Sequence, residues 1–422
     1  MEDLRLWIVG SIGIDTIETP AEKRAELLGG SVTYACAAAS FFTRTGAVGV
    51  VGDDFPEAFR ARYRQFGIDL AGLQTRKGGT FRWSGVYEAD FINRRTLDTR
   101  LGVFAEFSPE LPEAFRDAPD IPDFPRDVQP VLDRNCVKCH DYDKREGGVI
   151  LTGDHGPMFS HSYYTLTVWR QIADGRNLPK GNYPPRSLGS GGSPLMDKLD
   201  GGHHGVKASP RDLLMARLWL DCGAPYPGTY AALGCGMIGG YQQNQEILEN
   251  DKDWPATVAA QKVFASRCAS CHNAKHEPVP RTLCDEIGLS FWMPSMDDPR
   301  LKHTRHIVFN LSRPEKSLVL LAPLAKTAGG YGTCGAVFAG KDDADYRALL
   351  AMCEAGKQRL EEVKRFDMPG FRPREEWVRE MKRYGILPAG AKPDAPINVY
   401  EVERQYWKSL WYDPSSPLAA TK

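Results

Sequence analysis

The chain has 422 residues, 42% hydrophobic and 25% charged, an ordinary globular balance with enough apolar mass for several buried cores. Fifty-three basic residues against 54 acidic ones leave a net charge of −1, which excludes the basic footprint of a nucleic-acid binder. No apolar run reaches the length of a membrane-spanning helix.

Residues 1–119 read as α/β. Leu4–Val9 is a short apolar strand that ends at Gly10. Ala21–Leu28 has helical periodicity, broken by Gly29 and Gly30. Ser31–Phe42 is a small-residue helix in which Cys36 is a buried hydrophobe. Gly46–Val51 is a continuous apolar strand, and Glu57–Phe66 is a helix with its charges outward. Phe81–Tyr87 and Arg95–Leu101 alternate as strands of a small exposed sheet. Residues 117–126, rich in Pro and Asp, form a linker.

Beyond the linker stand two copies of Cys-x-x-Cys-His: Cys136, Cys139 and His140, then Cys268, Cys271 and His272. Two intervening residues let one turn of chain present both sulfurs to a porphyrin edge, and the next residue brings an imidazole under the iron. The reading is two covalently bound c-type haems with His140 and His272 as axial ligands. A zinc ribbon needs closer pairs, and a thioredoxin-like pair needs a βαβ context that neither copy has.

An internal repeat surrounds the motifs. Gln129–Leu132 precedes the first as Gln261–Phe264 precedes the second. Ser193-Pro-Leu in the first copy echoes Ser317-Leu-Val in the second. Asp212–Gly223 parallels Asp345–Gly356, each a helix stopped by its Gly. The order helix, motif, long loop, closing helix predicts two mainly α, cytochrome c-like modules, at 120–230 and 231–363. Residues 364–422 form a tail packed on them, anchored by Trp407, Trp411 and Tyr412. A disulfide among the later cysteines stays open, with no pairing assigned.

For the second axial position in module one, His203 and His204 lead. His155 and His161 are rivals, and Tyr142 stands further back. In module two the preferred residue is His306, with His303, Met293 and Met296 as alternatives. His276 lies too near His272 to reach the opposite face.

Gly10-Ser-Ile-Gly-Ile-Asp15, Gly29-Gly-Ser-Val-Thr-Tyr-Ala35, Thr45–Asp54 and Gly102–Phe115 resemble the N-terminal half of the ribokinase-like (PfkB) carbohydrate kinases. The resemblance covers a little over a quarter of the chain. It implies a partial ribokinase-like α/β domain in which Asp15, Gly29 and Gly30 contact a sugar-like substrate. That family's anion hole and catalytic base lie in a Gly-Ala-Gly-Asp motif, and no such motif occurs here.

Residues from about 124 to 415 resemble planctomycete-type dihaem proteins related to the hydrazine synthase alpha subunit. The matching stretches include Val128–Leu132, Ser193–Leu199, Gly202–Val206, Ala216–Tyr226, His306–Ser317 and Lys364–Phe371. This resemblance implies a dihaem c-type cytochrome acting in electron transfer or as a redox-enzyme subunit, with a redox partner protein or complex. Two alternatives stand beside it. One is a haem enzyme activating a small nitrogen or oxygen species. The other is a ribokinase-like relative lacking the catalytic half. Haem attachment implies an extracytoplasmic space, whereas Met1–Gly10 has early acids and no signal-peptide pattern, which implies the cytoplasm.

Overall fold

The computed structural model describes residues 6–90, 92–110, 119, 121–173, 175, 182–232, 248, 251–273, 291, 308–373, 375–392 and 395–410. The chain divides into two compact units, Met1–Ala118 and Pro119–Lys422. The first is α/β and the second is mainly helical.

In the first unit, β1 (Leu6–Val9), β4 (Thr45–Gly52) and β5 (Asp69–Arg76) form a parallel sheet in the order β1-β4-β5. All eight residues of β4 are buried, as expected for the centre of a parallel sheet covered on both faces. Helices α1 (Ser31–Ser40) and α2 (Glu57–Gln65) complete its core with Val32, Cys36 and Tyr63. A second sheet has the order β3-β2-β6-β7, built from β2 (Gly13–Glu18), β3 (Lys23–Gly29), β6 (Phe81–Tyr87) and β7 (Arg94–Arg100).

The helix expected at Ala21–Leu28 is corrected, because this segment is the edge strand β3, paired antiparallel with β2. The turn between them closes through Thr19 and Glu22, whose backbone bond is 2.8 Å. Lys23, Arg24 and Glu26 face solvent because β3 is an edge, and those outward charges mimic a helix's polar face. Strands β2 and β5 carry weaker alternation and give no clear strand signal in the sequence.

The second unit has two aromatic-rich cores. The first gathers Phe124, Phe159, Tyr163, Trp219 and Tyr226 around α3 (Gln129–Asn135), α4 (His161–Val168), α5 (Pro194–Leu199) and α6 (Pro210–Asp221). The second gathers Phe291, Phe309, Phe338 and Tyr346 around α7 (Pro255–Val263) and α8 (Ala344–Val363). Side-chain caps start several helices: Ser160 for α4, Ser209 for α6 and Asp343 for α8.

Two expectations are corrected here. The linker end at 121–126 is packed rather than free: Phe124 is fully buried, and Asp123 accepts the Gly228 N–H. Gly356 does not stop its helix, for α8 continues to Val363 and turns at Lys364 with φ +57°. Gly356 is needed because Phe291 packs on it, and a Cβ there would come within 2.6 Å of that ring. In the tail, Trp407 is 40% exposed, while Trp411 and Tyr412 lie outside the described residues. Trp407 lies on α10 (Val399–Ser409), which follows α9 (Glu375–Arg383), and its ring meets Tyr230 with centroids 6.0 Å apart. Val399 and Val402 are buried, Tyr400 donates to Asp123 at 2.6 Å, and the Glu403 carboxylate accepts from Ala231 N.

Polar contacts join the two helical cores. Arg313 grips Asp154 through two bonds of 3.0 and 2.6 Å. Arg365 holds Asp367 through bonds of 2.7 and 2.6 Å and donates to the Gly156 and Pro157 carbonyls, each at 3.0 Å. Among the described residues no helix is long and apolar enough to cross a membrane.

Candidate functional site

Two places in the chain concentrate chemistry, and each is built within one unit. In the first unit, Asp15 sits on β2 opposite Leu27 of β3, beside the turn that leads from β3 into α1. Asp15 is 9% exposed, and its Oδ1 is buried with no hydrogen-bond partner. Burial raises its carboxyl above the ordinary range.

Gly29 and Gly30 form that turn. A Cβ on Gly29 would lie 2.0 Å from Asp15 Oδ2, so only glycine lets the backbone pass so close. Gly30 has φ +94°, and a Cβ there would lie 2.4 Å from the Ser11 carbonyl. The structure therefore brings together the three residues marked from sequence. It adds others that sequence reading missed. Ser31 N donates to Ser11 Oγ at 3.1 Å and Ser11 N to Ser31 Oγ at 3.2 Å, a reciprocal clasp between the two glycine-rich segments. Tyr34 is 59% exposed, and its phenol is raised by burial, by the Asp15 carboxylate and by Tyr87. The serine after each glycine was the available signal.

In the second unit the two Cys-x-x-Cys-His segments fold alike. His140 N donates to Cys136 O at 3.1 Å, and His272 N donates to Cys268 O at 2.9 Å. Each follows a helix, α3 in the first copy and α7 with its continuing turn in the second. All four cysteines are free thiols. Burial pushes the Cys136 and Cys268 thiols up to about 11, so both are protonated at neutral pH. His140 and His272 each keep a buried Nδ1 without a hydrogen-bond partner.

Among the candidate second ligands, His203 stands by His140, with ring centroids 5.8 Å apart and planes at 22°. His204 stacks edge-on against His203 at 4.5 Å. Burial, then His204 and His140, hold the His203 pKa below its ordinary value. The rivals are committed elsewhere. His155 Nδ1 meets Ser312 Oγ at 2.7 Å, and its Nε2 donates to the Asp367 carbonyl. His161 Nε2 donates to the Phe309 carbonyl, which leaves Nδ1 to accept from Tyr142 Oη at 2.5 Å. Tyr142 and His161 are thus satisfied buried groups. His276, Met293, Met296, His303 and His306 lie outside the described residues, as do Cys235 and Cys284.

No family profile matches the chain, and no curated protein matches it. Solved structures similar to it include the nucleoside kinase of Methanocaldococcus jannaschii, an archaeal member of the ribokinase family. It is 16% identical, with 26% of this chain and 42% of that one covered and a TM-score of 0.21. The Burkholderia thailandensis nucleoside kinase in complex with inosine is 18% identical, over 24% and 38%, with a TM-score of 0.22. The Cryptococcus neoformans ribokinase in complex with ADP is 22% identical, over 23% and 34%, with a TM-score of 0.20. This chain spans less than half the length of each.

The expected character of a metal-binding cytochrome engaged in electron transfer is corrected. Among the described residues no group of three or more His, Cys, Asp or Glu side chains could hold a metal ion. The resemblance to hydrazine synthase-related proteins gains no support from these comparisons. The chain combines an N-terminal α/β unit with a helical second unit.

Proposed function

We propose that the first unit binds a small hydroxyl-rich ligand, a sugar or nucleoside, at Asp15 and the Gly29–Gly30 turn, without phosphorylating it. The observation that carries this reading is the buried, unpartnered Oδ1 of Asp15 beside a turn that excludes any side chain. A buried acceptor without a donor costs free energy, and a ligand hydroxyl supplies the donor. The glycine pair lets that ligand lie against backbone. Phosphoryl transfer needs an anion hole and a base, and this sequence has no Gly-Ala-Gly-Asp stretch to provide them.

The test is differential scanning fluorimetry with ribose, adenosine and inosine, together with an ATP-consumption assay. At least one ligand should raise the melting temperature of the wild type and not of Asp15→Asn, with ATP unchanged. A panel without any shift, or a shift that persists in Asp15→Asn, would overturn the reading.

A second reading concerns the cofactor. We propose the two Cys-x-x-Cys-His segments as attachment points for haem, with Cys136, Cys139, Cys268 and Cys271 as the thioether positions. His140 and His272 would face the iron, with His203 as the second imidazole in the first copy. Bound haem would supply an iron centre whose properties follow its axial ligands. What favours this is the same His N–H to first-cysteine carbonyl bond in both copies of the motif and the approach of His203 to His140. A pyridine haemochrome spectrum of protein exported with haem-attachment machinery tests it. Two covalent haems are expected, one after Cys136→Ser with Cys139→Ser, and their absence would reject this reading.

A further inference from the structure

The glycine turn beside Asp15 is held from behind by side chains of α1 and α2. Thr33, in the first turn of α1, donates its hydroxyl proton to the Gly29 carbonyl at 2.6 Å. Thr33 Oγ1 also meets Tyr63 Oη, from α2, at 2.5 Å. A threonine hydroxyl has one proton, and here Gly29 takes it. The second contact is therefore made with the tyrosine's proton. Tyr63 is 1% exposed and Thr33 is 8% exposed, so both bonds are made away from bulk water. Burial pushes the Tyr63 phenol up to about 12, which keeps it a donor throughout the physiological range.

We infer that Thr33 and Tyr63 are positioning residues: a two-step relay from α2 fixes the Gly29 carbonyl, and with it the backbone packed against Asp15. This rests on the reading of Asp15 as the ligand's partner. The geometry gives the relay leverage. Gly29 is the residue whose missing side chain leaves room for Asp15 Oδ2. Rotation of its carbonyl moves the backbone that shields the carboxyl. The same helix carries Tyr34, the titratable neighbour in electrostatic contact with Asp15. A threonine hydroxyl bonded to the carbonyl four residues back is common in helices. The buried phenol locked onto it from a second helix distinguishes this one.

The experiment uses the full chain and follows the Asp15 carboxyl by carbon-13 NMR through a pH titration. Variants are Thr33→Val, Thr33→Ser and Tyr63→Phe, each checked for fold by circular dichroism. Burial holds the Asp15 midpoint high. Thr33→Val should admit water and bring the midpoint down toward the ordinary carboxylate value, by roughly half a pH unit or more. Thr33→Ser, which keeps the hydroxyl, should restore the wild-type midpoint, and Tyr63→Phe should fall between. An unchanged midpoint in folded Thr33→Val, or a Thr33→Ser shift as large as that of Thr33→Val, overturns the relay. Should Thr33→Val not fold, Tyr63→Phe decides, because it removes one oxygen and keeps the packing. The midpoint needs no ligand, so a wild type that binds neither ribose nor nucleosides defeats the binding reading and leaves the relay separately judged.

Discussion

Replacing Arg365 by Ala is the sharpest test of what holds the second unit together. Arg365 and Asp367 have side chains 1% exposed, and their paired bonds of 2.7 and 2.6 Å are closed from water. Arg365 also satisfies the carbonyls of Gly156 and Pro157, which belong to the loop before α4. Its removal leaves a buried carboxylate whose remaining partners are the Tyr226 hydroxyl at 2.5 Å and the nearby His155, with Nε2 at 3.7 Å. Breaking one side of a buried pair costs about 3–5 kcal/mol, most of it from the uncompensated charge. The two carbonyls that lose a donor push the figure toward the upper end. At roughly 2–4 °C per kcal/mol for a large domain, the melting transition should fall by about 10 °C. Urea denaturation followed by near-ultraviolet circular dichroism, which reports the aromatic cores, gives the free energy directly. Arg365→Met with Asp367→Leu should recover most of the loss, because two apolar groups leave no charge stranded. A loss below about 1 kcal/mol for Arg365→Ala would refute the argument that this pair is closed from water.

Acid should find the same pair. The Arg365 and His155 charges and the hydrogen bonds overcome burial and hold the Asp367 carboxyl down to about 2, below its unfolded value. Its stabilisation is therefore complete above pH about 4 and is lost as pH falls toward 2, a change of roughly 2–3 kcal/mol. Denaturation series between pH 5 and pH 2 should show that slope, and Asp367→Asn should flatten it. Gly29→Ala should displace Asp15 by contact with its carboxylate and abolish ligand-induced stabilisation in fluorimetry, with an overpacking cost of about 1–3 kcal/mol. Trp219→Ala should cost about 3–5 kcal/mol, because this fully buried ring packs on Phe124 and Tyr163, and urea unfolding of the second unit measures it.

What the sequence made legible was whatever had a strong local signal. The apolar run of β4, the glycine pair before α1 and the periodicity of α2 all stand where the pattern placed them. Edge strand β3 was misread because its exposed charges recur much as a helix's do, and only pairing with β2 distinguishes the two. Gly356 was read as a stop because a glycine's need for space is set by Phe291, far along the chain. At the Asp15 site, the aspartate and the glycines were legible as a motif. Thr33 and Tyr63 were not, since their role depends on α2 folding back over α1, and thirty residues separate them. His203 and His204 stand in the sequence as candidate axial ligands, and the structure puts the His203 ring 5.8 Å from that of His140. It commits His155 and His161 to backbone and side-chain partners that a local reading could not see.

The most direct test of the central claim is isothermal titration calorimetry of ribose and inosine into the wild-type chain and Asp15→Asn. A hydrogen bond to a buried carboxylate contributes about 1.5–3 kcal/mol, so the account predicts affinity in the wild type that falls roughly tenfold to a hundredfold in the variant. Equal affinities in the two proteins, or no heat of binding from either ligand in the wild type, would contradict it.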